Sequence, residues 1–312
     1  MRKPWAIRTS IPPAIDTLAS AAYRLTGTML KIIVLGSGSA GNSAVVCNGT
    51  ARLLIDAGLS GSRLLERLAA VDVPLDSLAG VFITHEHGDH CKGLEILTKK
   101  HPLPILCNAR TRTVLQDFVK TEKHWHIVPT AGSFEFAGLE IQPFSVPHDA
   151  ADPVGLVLRY RDSALGIVSD AGHVTATMRQ KLSELDTLFV EANYDSALLS
   201  QNAKRPWSTK QRIQSRHGHL SNEQTAQLIT EILGPRLERV ILGHLSQDCN
   251  TPDLATRAIR MALDLQQRPD IHVSCAAAHE PTPWFPVRLR HPPVPAGAGP
   301  STSSGWQQMD LF

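Results

Sequence analysis

The chain has 312 residues, 42% hydrophobic and 19% charged, which suits one large domain or two small ones and excludes wholesale disorder. No stretch approaches the ~18 uncharged apolar residues of a membrane span, so no membrane partner is expected. Five scattered cysteines without a C-x-x-C pair indicate neither a disulfide framework nor a zinc ribbon, and fit a reducing, cytoplasmic compartment. The net charge of +2, from 31 basic and 29 acidic residues, neither requires nor excludes nucleic acid.

Fourteen histidines stand against 3 tyrosines and 5 methionines. Histidine is the commonest metal ligand, so their clustering matters most.

Residues 1–28 carry basic residues and a Pro-Pro pair but no sustained apolar run. They lack the apolar region of a secretory signal and read as a disordered leader or an over-extended start before Met29. A catalytic domain is expected over residues 29–279. The first strand is predicted at Leu30 to Leu35, and further apolar runs at 52–55, 80–83, 154–158, 164–168, 187–190 and 238–242 read as strands. Helical spacing marks 61–70, 109–120, 174–185, 221–233 and 252–267. Ser221 and Gln224 have the spacing of a capping box, and Gly234-Pro235 closes that helix.

Between the first two strands lies Gly36-Ser37-Gly38-Ser39-Ala40-Gly41, formally G-x-G-x-x-G. A dinucleotide site needs a helix next. Asn42 to Val46 reads instead as a strand, so a Gly/Ser turn that brings Asn42 and Ser43 near the chemistry is the better account. After the 80–83 strand comes Thr84-His85-Glu86-His87-Gly88-Asp89-His90. Three imidazoles and a carboxylate in six residues can surround metal where the backbone turns, and Gly88 permits a turn. Downstream, His148, Asp170 and His244 each follow a predicted strand.

Taken in order, these residues resemble the metallo-β-lactamase-fold hydrolases. The likeness spans residues 30–275: an early Asp (Asp56), the H-x-H-x-D-H loop, a lone His (His148), a lone Asp (Asp170) and a final His (His244). It implies an α/β fold, an αββα sandwich of two stacked mixed sheets with outer helices. It also implies two divalent metal ions. His85, His87 and His148 would hold one, Asp89, His90 and His244 the other, and Asp170 would bridge them. Asp56 would support the loop without being a ligand. The donor set suits Zn²⁺ first, and the carboxylates admit Mn²⁺. Two such ions imply hydrolysis.

Within that family, G-S-G-S-A-G-N-S (36–43), Glu191-Ala192-Asn193-Tyr194-Asp195, Gly218-His219-Leu220-Ser221-Asn222 and residues 242–250 resemble the YycJ/WalJ-like branch, regarded as DNA-acting 5′ exonucleases. Position 194 departs from the pattern, which has His there. The stretch after His244 is also similar to nucleases whose corresponding residues approach phosphate, which singles out Ser246 and Asn250. Between two of these motifs lies a basic strip, Lys204, Arg205, Lys210, Arg212 and Arg216, with Trp207 interleaved and no acid from 196 to 222. Such a strip can follow phosphates and stack a base. His217 and His219 follow it; His219 could hold phosphate or protonate a leaving oxygen, and Asp89 is its catalytic counterpart.

The reading is therefore a metal-dependent phosphodiesterase on DNA, a 5′→3′ exonuclease in replication or repair. A small-molecule hydrolase of the same fold, on a cyclic phosphodiester or a thioester, and a non-catalytic metal-stabilised binding module remain as alternatives. From Glu280, Pro, Gly and Ser predict a flexible tail. It ends in Gln308-Met309-Asp310-Leu311-Phe312, which resembles the bacterial sliding-clamp-binding motif Q-L-[S/D]-L-F and so suggests the clamp as a partner.

Overall fold

The computed structural model describes residues 29–120 and 124–288. The leader, residues 1–28, and the pentapeptide 308–312 lie outside them. One sheet orders its strands β14-β1-β2-β3-β4-β5-β6 and the other β13-β12-β11-β10-β9-β8-β7. The first holds β1 (Lys31–Gly36), β2 (Ser43–Cys47), β3 (Arg52–Ile55), β4 (Leu78–Phe82), β5 (Ile105–Cys107), β6 (Trp125–Ile127) and β14 (Phe285–Pro286). The second holds β7 (Phe134–Phe136), β8 (Leu139–Ser145), β9 (Val154–Tyr160), β10 (Ser163–Val168), β11 (Thr187–Glu191), β12 (Arg239–Gly243) and β13 (His272–Cys275).

Burial on both faces explains why the central strands are apolar without a break. Along β1, Ile32 and Val34 enter a core between the sheets with Phe82, Ile141, Leu156 and Ile241. Ile33 and Leu35 point the other way, into a core shared with α1 (Gly61–Ala70), the short α2 (Gly88–Cys91), α3 (Leu94–Lys100) and α4 (Ala109–Leu115). On the far side, Val240 and Leu242 pack against α5 (Ala176–Leu182), α8 (Asn222–Glu231) and α9 (Pro252–Leu265), while Ile241 between them faces inward. The αββα sandwich is thus two period-2 patterns placed back to back.

Two short helices, α6 (Ser196–Gln201) and α7 (Trp207–Gln214), bulge from the second sheet. They rest on a small separate core of Tyr194, Leu199 and Cys249, against which Ile213 packs. No residue of α7 is buried, and Trp207 is 70% exposed.

The predicted elements stand with adjusted ends. The helix expected over 109–120 stops at Leu115, and the strand expected from Asn42 starts at Ser43. The 221–233 helix opens on the capping box, Ser221 Oγ accepting from Gln224 N while the Gln224 side chain accepts from Ser221 N. The tail boundary at 280 needs correction. Phe285 and Pro286 pair with β1, and Val287 is fully buried. A two-residue strand at a sheet edge tolerates proline, so composition concealed it.

Candidate metal centre

Every candidate ligand follows the C-terminal end of a strand, and topology brings those ends to one rim. In the first sheet β3 and β4 are parallel; in the second β10, β11 and β12 are parallel, and β8 matches their direction because β9 is antiparallel to both β8 and β10. Asp56 follows β3, the 85–90 loop follows β4, His148 follows β8, Asp170 follows β10 and His244 follows β12. Three of these residues leave their strands with left-handed backbone: Asp56 (φ 59°), Asp170 (φ 57°) and His244 (φ 50°). That conformation is uncommon for non-glycine residues and accumulates at functional sites.

The rim gathers His85, His87 and His148 into one group, and Asp89, His90, Asp170 and His244 into a second, with potential ligand atoms within 4.8 Å of one another in each. Asp170 joins them. Its Oδ2 lies 3.0 Å from both His90 Nε2 and His244 Nδ1, and its Oδ1 lies 3.7 Å from His148 Nε2.

The donor chemistry fits divalent metal. His85 Nε2 is buried and has no hydrogen-bond partner. Burial, with the neighbouring His90 charge adding, holds His85 well below the usual imidazole range, so the ring is neutral as a ligand must be. Burial likewise lowers His148. His148 Nδ1 faces the Gly218 carbonyl at 3.0 Å, and His87 Nε2 faces the Asp149 carbonyl at 3.2 Å, leaving His148 Nε2 and His87 Nδ1 on the inner side. Burial opposes charge on His90, but Asp170 and Asp56 together raise it well above the usual value. Burial would push the Asp170 carboxyl up; His244 and His90 outweigh it and hold Asp170 well below the carboxylate range.

Asp56 sits behind this group. Its carboxylate accepts from Thr84 N at 2.8 Å and Thr84 Oγ1 at 2.9 Å, and meets His90 Nδ1 at 2.7 Å. Those contacts fix the His90 tautomer and aim Nε2 at Asp170. Gly58 allows the two loops to touch: a Cβ there would stand 1.6 Å from the Asp89 carbonyl oxygen.

Three residues expected at phosphate are occupied elsewhere. Ser43 Oγ donates to the Asp56 carbonyl at 2.7 Å. Asn42 Oδ1 accepts from Ser37 Oγ and Gly38 N, and its amide nitrogen reaches Asp89 and His90, so Asn42 braces ligands. Asn250 is buried, bonded to the Asn222 side chain and the Ala192 carbonyl. Tyr194 lies in the small core beneath α6 and α7, where burial, reinforced by Glu223 and Glu191, pushes its hydroxyl up to about 12.

Ser246, Arg205 and Arg212 line a cleft of ≈ 170 Å³ that runs from His148 and His219 to the face of α7. Lys204, Lys210 and His217 lie outside its lining; Lys210 Nζ donates to the Ser200 carbonyl. Two acidic residues, Asp149 and Glu191, join the site although the sequence gives them no role there, Glu191 only as part of a family-like stretch. Asp149, on the cleft wall, accepts from Arg212 Nε and Nη2, both at 2.7 Å. Glu191, buried at the end of β11, meets His219 Nδ1 at 3.0 Å and accepts from Ala171 N and Leu220 N. Burial disfavours charge on His219, yet the Glu191 hydrogen bond and charge, with Asp170 and Asp89, raise it to about 9. With Asp170 and His244 this pair forms a third group able to hold metal. Its position at a strand end between those of Asp170 and His244 is the signal that could have found Glu191.

A family model described as a beta-lactamase superfamily domain matches residues 51–245. The chain belongs to the metallo-β-lactamase superfamily. It is similar to Exodeoxyribonuclease YycJ of Bacillus anthracis, 31% identical over 243 residues, covering 75% of this chain and 89% of that protein. It is also similar to Exodeoxyribonuclease WalJ of Streptococcus pneumoniae, 34% identical over 229 residues, covering 72% of this chain and 85% of that one. Among solved structures, the metallo-β-lactamase fold protein YhfI from Bacillus subtilis superposes with a TM-score of 0.64 at 16% identity, over 82% of this chain and 99% of YhfI. That last likeness concerns the fold alone. The chain is a metal-binding hydrolase of this fold, with His/Asp groups that could hold divalent ions.

Proposed function

We propose that the protein is a dinuclear-metal phosphodiesterase acting on DNA, a 5′→3′ exonuclease working in the cytoplasm in replication or repair. The observation that carries this reading is the Asp170 carboxylate, which belongs to the second ligand group and stands 3.7 Å from His148 of the first, beside an arginine-lined cleft. His85, His87 and His148 are assigned to one ion, Asp89, His90 and His244 to the other, and Asp170 to both, with Zn²⁺ favoured and Mn²⁺ admitted by the carboxylates. When bound, such a pair supplies Lewis acidity and a water-derived nucleophile at neutral pH.

The chain's own residues complete the reaction. Asp89, only half-buried, positions the attacking water and takes its proton. His219 is held through Nδ1 by Glu191, so its Nε2 is the ring atom left to protonate the departing oxygen. Arg205 and Arg212 oppose the phosphates, and exposed Trp207 offers a stacking face for a base. The exodeoxyribonuclease names of both relatives support DNA as substrate, and the five free cysteines support a reducing compartment. The tail, Gln308 to Phe312, is proposed to dock on a sliding clamp and hold the enzyme near its substrate.

The test is incubation of the purified full chain, with Mn²⁺ or Zn²⁺, with end-labelled single- and double-stranded DNA and RNA. Stepwise loss of nucleotides from the 5′ end of DNA is expected. Inertness toward DNA with either metal, or equal attack from both ends, overturns it.

A further inference from the structure

The two arginines of the cleft are held unequally. Arg205 Nη2 reaches Asp248 at 3.4 Å, longer than a well-made charge-assisted bond. Arg212 places both Nε and Nη2 on one carboxylate oxygen, Asp149 Oδ2, at 2.7 Å each. The other oxygen, Asp149 Oδ1, stands 3.3 Å from His148 Nε2, the ring atom on the inner side of the metal centre. The carboxylate thus lies between Arg212 and the first ligand group, although Asp149 belongs to none of the three groups of potential ligands.

The two partners differ in how freely they move. Asp149 sits in a pinned loop. Its carbonyl faces His87 Nε2 at 3.2 Å, and Ala151 N donates to Glu86 Oε1 at 2.7 Å. The Asp152 carbonyl and Oδ2 accept from Asn108 Nδ2 and Thr130 Oγ1, both at 2.6 Å. Arg212 stands on α7, a helix with no buried residue, and its side chain is 70% exposed. An ion pair with so exposed a partner contributes little to stability, so a phosphate takes Arg212 from Asp149 at small cost. The carboxylate does not follow. It stays in the cleft wall, unpaired, facing the phosphate that displaced it, and juxtaposed like charges disfavour the complex.

We propose that Asp149 masks Arg212: it is a built-in competitor for phosphate that limits how tightly the cleft holds DNA and the nucleotide released from it. This rests on the exonuclease reading given above, in which every cycle ends with the departure of a product that carries phosphate. Two unopposed arginines would retain that product, whereas a fixed carboxylate answering one of them lets it go. Asp149 is accordingly a positioning residue that acts through Arg212.

The experiment places Asp149→Asn, Arg212→Ala and the two together in the full-length Asp89→Ala protein, which leaves DNA uncleaved. Affinity for a 3′-fluorescein-labelled oligothymidylate is read by anisotropy over a range of salt, and far-UV circular dichroism checks the fold; Asp149→Ala replaces Asp149→Asn should that variant fail to fold. Removing the carboxylate should tighten binding about threefold to tenfold, the range of one exposed ion pair given over to phosphate, and the gain should narrow as salt rises. In the Arg212→Ala background the gain should be smaller, because only the repulsion is left to relieve. With Asp89 intact and Mn²⁺ present, thymidine 5′-monophosphate should inhibit Asp149→Asn about threefold to tenfold more strongly than the wild type. Weaker binding by a folded variant would mean that Asp149 only fastens α7 to the rim, and would overturn the mask. Unchanged binding, or an equal gain without Arg212, overturns it too. Failure of the wild type to hydrolyse any DNA would remove the exonuclease reading, while the anisotropy comparison would still decide the mask.

Discussion

Replacing Asp56 by Asn tests how the second ligand group is held. Asparagine preserves the side chain's volume and tolerates the left-handed backbone at this position, so the fold should be retained. One oxygen can still accept from Thr84 N. The amide nitrogen then faces His90 Nδ1, where the native carboxylate stands at 2.7 Å. Either two buried donors oppose each other, at a cost of about 1–3 kcal/mol, or His90 moves its proton to Nε2. The second outcome blocks the atom that faces Asp170. Substitutions of this kind behind a metal ligand cost about 10–100-fold in metal affinity, equivalent to about 1.4–2.7 kcal/mol, so the two estimates agree.

The measurement is metal content per chain after equilibration with a graded series of chelator concentrations. One ion should leave Asp56→Asn at chelator levels about 10–100-fold lower than in the wild type. The His85, His87 and His148 group, which does not touch Asp56, should release its ion near the wild-type concentration. Thermal unfolding followed by circular dichroism shows whether the variant is folded. Release of both ions along the wild-type curve by a folded variant would refute the argument that Asp56 orients His90.

Asp89→Ala should abolish hydrolysis while far-UV circular dichroism stays unchanged, and elemental analysis of the wild type should find about two ions per chain; full activity in the variant removes the assignment. Joint replacement of Lys204, Arg205, Lys210 and Arg212 by Ala should weaken DNA binding. The slope of log K against log salt should fall by about 1.5–2 if only the two cleft-lining arginines reach phosphate and by about 3 if all four do; an unchanged slope makes the strip a solvated face. A labelled 300–312 peptide should bind the purified sliding clamp at about micromolar Kd, because the segment must be ordered on docking, and Leu311→Ala with Phe312→Ala should abolish that binding. Absence of saturation up to high micromolar concentration would dismiss the tail motif.

How much of this was legible depended on how local each determinant is. The capping box of Ser221 and Gln224 is complete within four residues, and its helix begins where the sequence places it. The alternation of Ile32 and Val34 against Ile33 and Leu35 is local too, although a continuous apolar run hides that two different cores receive the two sets. The choice among residues expected at phosphate is not local. Ser246 and Asn250 sit in one stretch after His244 and look equivalent there. What separates them is Asn222, remote in sequence, which takes the Asn250 side chain in a reciprocal pair. Ser43 was likewise claimed by the Asp56 carbonyl. Arg205 and Lys204 are neighbours in a basic run, yet only Arg205 turns into the cleft. Glu191 opens one of the quoted stretches, but nothing in that stretch gives it a role; its meaning comes from the parallel pairing of β11 with β10 and β12.

The three left-handed residues explain why the chemistry collects where the strands stop. In extended backbone successive side chains point to opposite faces of a sheet, into one apolar core or another, and neither suits a ligand. A residue that turns left-handed at the strand's end breaks that alternation and re-aims its side chain across the rim. For Asp56, Asp170 and His244 the turn costs on the order of 1–3 kcal/mol each, a large fraction of a domain's net stability. The surrounding bonds show what holds them there. Asp56 N donates to the Phe82 carbonyl, and His244 N donates to Ser37 Oγ. After Asp170, Ala171 N donates to Glu191 Oε1 and Gly172 N to the Pro147 carbonyl. The same contacts tie β3 to β4, β12 to the turn after β1, β10 to β11, and the end of β8 to that of β10. The bonds that hold each turned residue are therefore the bonds that register the strand ends with one another, within and across the two sheets. A substitution that relaxed one of these turns, unlike Asp56→Asn, which keeps the turn, would therefore misplace more than one ligand.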